Sequence, residues 1–428
     1  MIWTGLAAHH AIPAITVEAG NTDPATGAVV LTVTTSDADG DHVAVTVSGP
    51  DHGTVVNNGD GRFTYTPTHA ARIAATTGSV TDTLTFTATD AHGDTSSATS
   101  EVQIPGYTAN TVIANIDLGF GNNTHDLALS ADGKTAYTSA WGADKVFVID
   151  TATNTVVTTI AVGVKPTGLA LHPDGTTLWV TNTDGKTVSV IDTATNAVLH
   201  TLTNAGSSPH LVVFSTDGAY AYIVQQANAD DANVVVLNTQ TRAVVTTIDT
   251  NIRHTDAVMA PDGSAIYLSS QNQEFGNRQG FVLVIDTATN TVAATIPDPA
   301  VAVAPGGVAV SPDGGTVYAV AGAFPEGVMI IDADTNTVID RIEMNSTGAL
   351  EKIAVSPDGS RLLVTDGLDN TLVVVDIASK SILTTIDLPF DLPLDVTFSP
   401  DGTLAYVTYL ASGAVSVIAT GLAPHEAV

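Results

Sequence analysis

The chain has 428 residues, with 13 lysines and arginines against 44 aspartates and glutamates, a net charge of -31 and no cysteine. Such acidity disfavours DNA, RNA and anionic lipid as partners, because that binding rests on basic patches that neutralise phosphate. Without cysteine there is no disulfide framework, thiolate nucleophile, cysteine zinc site or c-type haem attachment, and no apolar run approaches the roughly 18 residues that span a bilayer.

The length suits a small domain followed by a large repeat domain. Met1 to His10 lack the basic and apolar regions of a secretory signal, so the expectation is a removed signal or a segment of a longer protein. Scarce lysine with abundant Thr, Asp, Asn, Gly and Ala fits an exported bacterial surface protein.

Residues 12–104 read as an immunoglobulin-like β-sandwich. Short alternating strands are expected at Ala14–Glu18, Val29–Thr35, Val43–Ser48, Gly53–Val56, Arg62–Thr66, Asp82–Thr89 and Ser97–Ile104, with turn residues between them. Within this stretch Asp37, Asp39 and Asp41 alternate around Gly40, and Asp90 and Asp94 lie on a loop that a sandwich could bring near. Hard oxygen ligands in this number make calcium a candidate cofactor, although the twelfth position from Asp37 is Ser48 and not the glutamate of an EF-hand. Solvated turn carboxylates account for the same residues. Residues 105–110, opening on Pro105-Gly106, read as a linker.

From residue 111 a different period begins. A four-residue turn recurs at Ser130–Gly133, His172–Gly175, Ser215–Gly218, Ala260–Gly263, Ser311–Gly314, Ser356–Gly359 and Ser399–Gly402, with aspartates spaced 42, 43, 45, 51, 45 and 43 residues apart. Proline presets φ, aspartate closes the turn and glycine takes positive φ, so each copy joins two strands. A third strand then ends in a second hairpin, Asp-Thr-Ala-Thr-Asn at Asp150–Asn154, Asp192–Asn196 and Asp286–Asn290, before a fourth strand. Four antiparallel strands per unit, repeated seven times, predict a seven-bladed β-propeller over residues 111–422. Residues 111–118 form a fourth strand lacking a third before it, and 415–419 a third strand lacking a fourth after it. The two are expected to pair and close the ring, leaving no exposed edge.

These turns, together with Leu178-Trp-Val-Thr-Asn182, Ala405-Tyr-Val-Thr408 and the Val-Ile-Asp-Thr-Ala-Thr-Asn third strands, resemble the YVTN family of bacterial propeller repeats. That resemblance implies a fold shared by surface-layer proteins, secreted binding proteins and propeller lyases and lactonases. Ser36–Asp41, Gly61–Pro67 and Leu84–Asp90 are similar to the cadherin-like and VCBS modules of large bacterial exoproteins, which implies a spacer or adhesive stalk.

Aligned on their turns, the inner strands place His125, Thr167, His210, Thr255, Gly306, Glu351 and Leu394 at one ring position. Asp126, Gly168, Leu211, Asp256, Gly307, Lys352 and Asp395 fall at the next. With His254 beside them, these histidines and carboxylates are expected at the mouth of the central channel. There they could bind a divalent metal, run acid and base chemistry or simply line a wet channel. Long middle-blade loops add Phe275, Arg278, Phe324 and Glu326 as candidate contacts, and Trp141 is an aromatic on the same face. The turn aspartates are structural.

Two functions fit. One is a non-enzymatic recognition, adhesion or assembly platform outside the cell, with an unknown protein, cell-surface polymer or small ligand as partner and self-association open. The other is a metal-dependent hydrolase or lyase using the channel histidines with Glu351 and Asp395. No Gly-x-Ser-x-Gly elbow supports serine hydrolysis, and no glycine-rich strand-to-helix motif supports nucleotide binding.

Overall fold

The computed structural model describes residues 11–226, 232–271, 280–297, 305–321, 326–344 and 349–425. It divides into two compact units, Met1–Ala109 and Asn110–Val428.

In the first unit, alternation of buried and exposed residues produces seven strands: β1 (Ala14–Thr22), β2 (Val29–Ser36), β3 (Ala44–Ser48), β4 (Gly53–Gly59), β5 (Arg62–Pro67), β6 (Val80–Thr89) and β7 (Thr95–Ile104). They form two sheets, ordered β1-β2-β5-β4 and β3-β6-β7. The inward residues Leu31, Phe63, Tyr65, Leu84, Phe86 and Ile104 are buried in one core, where Phe63 and Phe86 meet edge to face at 5.2 Å.

Sequence patterning missed one helix, α1 (His69–Thr77), which Thr68 caps by accepting the Ala71 N–H at 3.2 Å. Arg72 on this helix is 5% exposed. Its guanidinium donates to the carbonyls of Pro24 and Ala25 at 3.1 and 2.6 Å and lies 4.2 Å from the Tyr107 ring centre. His69 Nδ1 bonds the Tyr107 hydroxyl at 2.7 Å, and Tyr107 N donates to Thr76 Oγ1 at 3.0 Å. Tyr107, within the stretch read as a linker, is thus bonded to the first unit.

The second unit comprises seven four-stranded antiparallel sheets among the described residues. Their first strands are Thr124–Leu129, Pro166–Leu171, Pro209–Phe214, Arg253–Met259, Pro305–Val310, Leu350–Val355 and Pro393–Phe398. Each first strand lies against that of the next sheet, and the seventh lies against the first. The arrangement is propeller-like. The seventh sheet takes its outermost strand from β8 (Thr111–Asp117), which pairs with Ala414–Ala419 in the register Val415 to Ile116 and Val417 to Ala114.

Both hairpin motifs do visible work. In the first sheet, Ser130 Oγ donates to Asp132 Oδ1 at 2.7 Å and Gly133 sits at φ 68°. In the second turn of that sheet, Asp150 Oδ1 accepts from Thr153 N and Oγ1, both at 2.8 Å, while Asn154 takes the left-handed conformation at φ 53°. Thr151 Oγ1 then donates to Gly133 O at 2.7 Å, locking one turn to the other.

Candidate functional site

Every first strand carries an irregularity in its pairing with the second strand at the same place, where the first strand has one residue more than its partner. Examples are Thr124 to Leu127 against Ala140 to Thr138, and His254 to Asp256 against Ser270 to Ser269. These bulges fall at the two ring positions aligned from the sequence. A bulge re-aims side chains and leaves backbone groups unpaired.

Hydroxyls on the second strands take up the loose backbone. The N–H groups of Asp126, Gly168, Lys352 and Asp395 donate to Ser139, Thr181, Thr365 and Thr408 at 3.1, 3.0, 2.9 and 3.1 Å. The same hydroxyls donate onward to carbonyls of the following sheet: Ser139 to Thr167 O at 2.5 Å, Thr181 to His210 O at 2.7 Å and Thr365 to Leu394 O at 2.8 Å. Ser269 bonds Gly306 O at 2.6 Å, and Thr408, in the seventh sheet, bonds His125 O of the first at 3.1 Å. The threonine of the Tyr-Val-Thr pattern is therefore an intersheet tie.

The ring aspartates make a second set of ties. Asp126 accepts Leu169 N at 2.9 Å, Asp256 accepts Val308 N at 2.9 Å and Asp395 accepts Leu127 N at 3.2 Å, each reaching the next sheet. Lys352 Nζ bonds Asp256 Oδ1 at 2.6 Å and Thr255 O at 3.1 Å. Burial pushes the Asp126 carboxyl up to about 6 and that of Asp395 well above its ordinary value; their mutual repulsion adds to the Asp395 shift, and Lys352 works against both. Leu127 N donates to both carboxylates, Asp126 Oδ1 at 2.8 Å and Asp395 Oδ2 at 3.2 Å. Burial opposes the Lys352 charge, but Asp256 and the other two aspartates hold its pKa above the usual lysine value. Sequence alignment thus brought Asp126, Asp256, Lys352 and Asp395 to one cluster, whose contacts are those of a structural hub.

The histidines divide. His125 and His210 meet edge to face at 5.4 Å. Burial first, then Lys352, lowers His125 to about 4, and burial with His125, Lys352 and Arg253 lowers His210 well below its ordinary value; both are neutral at pH 7. His254 departs from the expectation of a channel-mouth ligand. It is fully buried, with Nδ1 on Ser270 Oγ and Nε2 on Thr250 Oγ1, both at 2.8 Å. Its position is proline in four other sheets (Pro166, Pro209, Pro305, Pro393), and of these Pro166, Pro209 and Pro393 are buried. His125 and His210 thus lie side by side, while His254 is held by Ser270 and Thr250.

Glu351 is partly buried, and burial raises its pKa. Trp141 is covered by the Lys165 ammonium 4.6 Å above its ring, and Lys165 in turn pairs with Asp184 at 2.6 Å. Glu326 is 8% exposed; Phe275, Arg278 and Phe324 lie outside the described residues. Arg253 was not singled out from the sequence, although it is one of only 13 basic residues and stands next to His254.

In the first unit, Asp37 Oδ1 accepts the N–H groups of Asp39 and Asp41 at 2.9 and 3.3 Å, and Asp90 Oδ1 those of His92 and Asp94 at 2.8 and 2.9 Å. Asp39 accepts Ala11 N at 2.7 Å, and Asp41 pairs with His92 at 3.0 Å. Oδ2 of Asp37 and of Asp90 are buried without a hydrogen-bond partner. Among the described residues no three His, Cys, Asp or Glu side chains are arranged to hold a metal ion. The carboxylate oxygens of Asp37 and Asp90 that have partners accept hydrogen bonds from their own turns. No described helix is long and apolar enough to cross a membrane.

Residues 11–106 match the family model described as bacterial cadherin-like domain. No curated protein matches the chain. Among solved structures the chain is similar to Kuenenia stuttgartiensis Hydrazine Synthase, with 21% identity and a TM-score of 0.63 over 71% of this chain and 97% of that one. At that identity the likeness speaks for the fold. The chain therefore carries a bacterial cadherin-like domain at its N-terminal end, followed by an all-β unit of propeller-like fold.

Proposed function

We propose that the protein is an extracellular or cell-surface bacterial recognition, adhesion or assembly module. The cadherin-like sandwich serves as a spacer, and the second unit is a seven-bladed YVTN-type propeller that presents the binding face. The observation that carries this reading is the cadherin-like match over residues 11–106, since such domains occur in extracellular proteins. The ties around Asp126, Asp256 and Asp395 support it further, because they give the propeller a stiff centre on which loops can be displayed. Partners are a protein, a surface polymer or a small ligand, and self-association is compatible with the fold. Antibody labelling of intact producing cells, with and without added protease, tests the location. Surface signal lost on proteolysis is expected; signal only after lysis overturns the reading.

A second reading, hydrolase or lyase chemistry, draws on one observation: His125, His210, Asp126 and Asp395 have shifted pKa values in one place, as catalytic groups often do. Metal analysis of the purified protein and alanine replacement of His125 and His210 test it. Bound metal lost from the variants would favour this reading over the platform.

A further inference from the structure

Because the seven sheets repeat, each joint between them can be compared with the others. The outermost strand of every sheet bulges against its third strand, and the residue just past the bulge is His200 in the second sheet and Asp340 in the fifth. At the last position of the second hairpin, four sheets have asparagine at positive φ (Asn154, Asn196, Asn290, Asn336), whereas the third has Arg242 and the sixth Lys380. Lys380 forms an ion pair with Asp340 of the sheet before it, so these two positions meet across a joint. Between the second and third sheets the same positions hold Arg242 and His200, and no carboxylate answers the guanidinium. Among the described residues Arg242 makes no ion pair, whereas Lys134, Lys165, Lys352, Arg361 and Lys380 each do.

The hairpin departs from the repeat at its first position too. Asn238 stands where five other sheets have aspartate, and its Oδ1 still accepts Thr241 N and Oγ1 at 2.8 and 2.9 Å. The turn bonds are kept and the negative charge is gone.

A cavity of about 270 Å³ opens at this joint, lined by exposed His200 and half-buried Arg242 together. Two contacts hold its sides in place: His172 Nε2 bonds Gly218 O at 2.9 Å, and Asn204 Nδ2 donates to Arg242 O at 3.1 Å. Trp179 and Leu199, the latter 49% exposed, supply apolar wall. Asp174 also lines the cavity, but its Oδ1 is engaged by His172 Nδ1 and Thr176 Oγ1, both at 2.7 Å.

We infer that this cavity binds a small organic acid, its carboxylate on Arg242 and His200 and its apolar body on Trp179 and Leu199. The carboxylate takes the place that Asp340 fills beside Lys380. A guanidinium offers it two parallel N–H groups and the imidazole a third. A second negative charge on the ligand would meet Asp174, so a monoanion is selected. The volume falls just below the roughly 300–1,000 Å³ of pockets for drug-sized ligands, which limits the occupant to a small molecule. The site goes beyond the platform reading and does not depend on it, since a chain absent from the cell surface would still bind the acid.

The test uses the whole chain at pH 7 and constant ionic strength in chloride. Hexanoate, phenylacetate, their neutral amides and inorganic phosphate are titrated by isothermal calorimetry, with the Trp179 indole N–H followed by NMR. At least one of the two acids is expected to saturate with a shift at Trp179, binding at least tenfold more tightly than its amide and than phosphate. Arg242→Asn installs the residue that four other hairpins carry at this φ, so the turn is kept, and weakens binding at least tenfold. His200→Asp provides the carboxylate from the chain itself, as Asp340 does for Lys380, and abolishes binding. The inference is overturned if neither acid saturates, if the amide or phosphate binds as tightly as the acid, or if either variant keeps the parent affinity.

Discussion

Thr408→Val tests whether the hydroxyl ties hold the second unit together where its ends meet. Thr408 is fully buried; its Oγ1 accepts Asp395 N at 3.1 Å and donates to His125 O at 3.1 Å, joining the seventh sheet to the first. Valine has the same shape, and Val224 and Val320 occupy the equivalent place natively, so the change removes the hydroxyl without a steric penalty. It leaves one bulged N–H and one carbonyl without that partner, a loss of about 1–3 kcal/mol for buried groups. In a unit of this size that lowers the melting temperature by roughly 2–6 °C, at about 2 °C per kcal/mol. Differential scanning calorimetry of parent, Thr408→Val and Thr408→Ser reads the effect, with serine expected to recover most of it. Melting of the valine variant within about 1 °C of the parent refutes the tie.

Lys352→Met strands three partly buried aspartates and should destabilise by about 3–5 kcal/mol at pH 7, as when one partner of a buried ion pair is removed. Asp126 and Asp395 have folded pKa values above their unfolded ones, so their protonated forms stabilise at low pH and that stability is lost as pH rises through the folded values. Removing Lys352 raises both further, so in urea titrations the deficit should shrink at pH 5 and grow towards pH 8; a constant deficit contradicts the cluster. Deleting Tyr107 to Leu118 removes β8 from its pairing with Ala414–Ala419 and should lower the melting temperature of the whole second unit, so a truncated chain melting with the parent excludes a closing role. Millimolar calcium should leave the thermal transition of the first unit unmoved, because Asp37 and Asp90 already accept their own loop's N–H groups. A rise of several degrees, abolished by Asp90→Asn, would show that their free Oδ2 atoms bind the ion.

Much of the fold was legible because turn chemistry and strand alternation are local. Gly133 and its counterparts, the Asp150–Asn154 hairpin and the in-out pattern of Leu31 and Phe63 act through neighbours in the chain, and each can be recognised one residue at a time. Alignment on the turns even placed Asp126, Asp256, Lys352 and Asp395 together, because equivalent strands around one centre put equivalent positions side by side. Helix α1 escaped because its short alanine-rich segment lacks the apolar periodicity that would announce it, and its Thr68 cap and the buried Arg72 contacts gain meaning only once packed.

What the sequence by itself determined was the repeat, the strand order within each sheet and the ring positions of the charged residues. Only the tertiary structure decided which way those side chains turn. One-residue bulges send Asp126, Asp256 and Asp395 onto the backbone of the next sheet and fold His254 inward onto Thr250 and Ser270. Composition and spacing carry no record of this, because the partners of the ring aspartates come from strands some forty or more residues away in the chain.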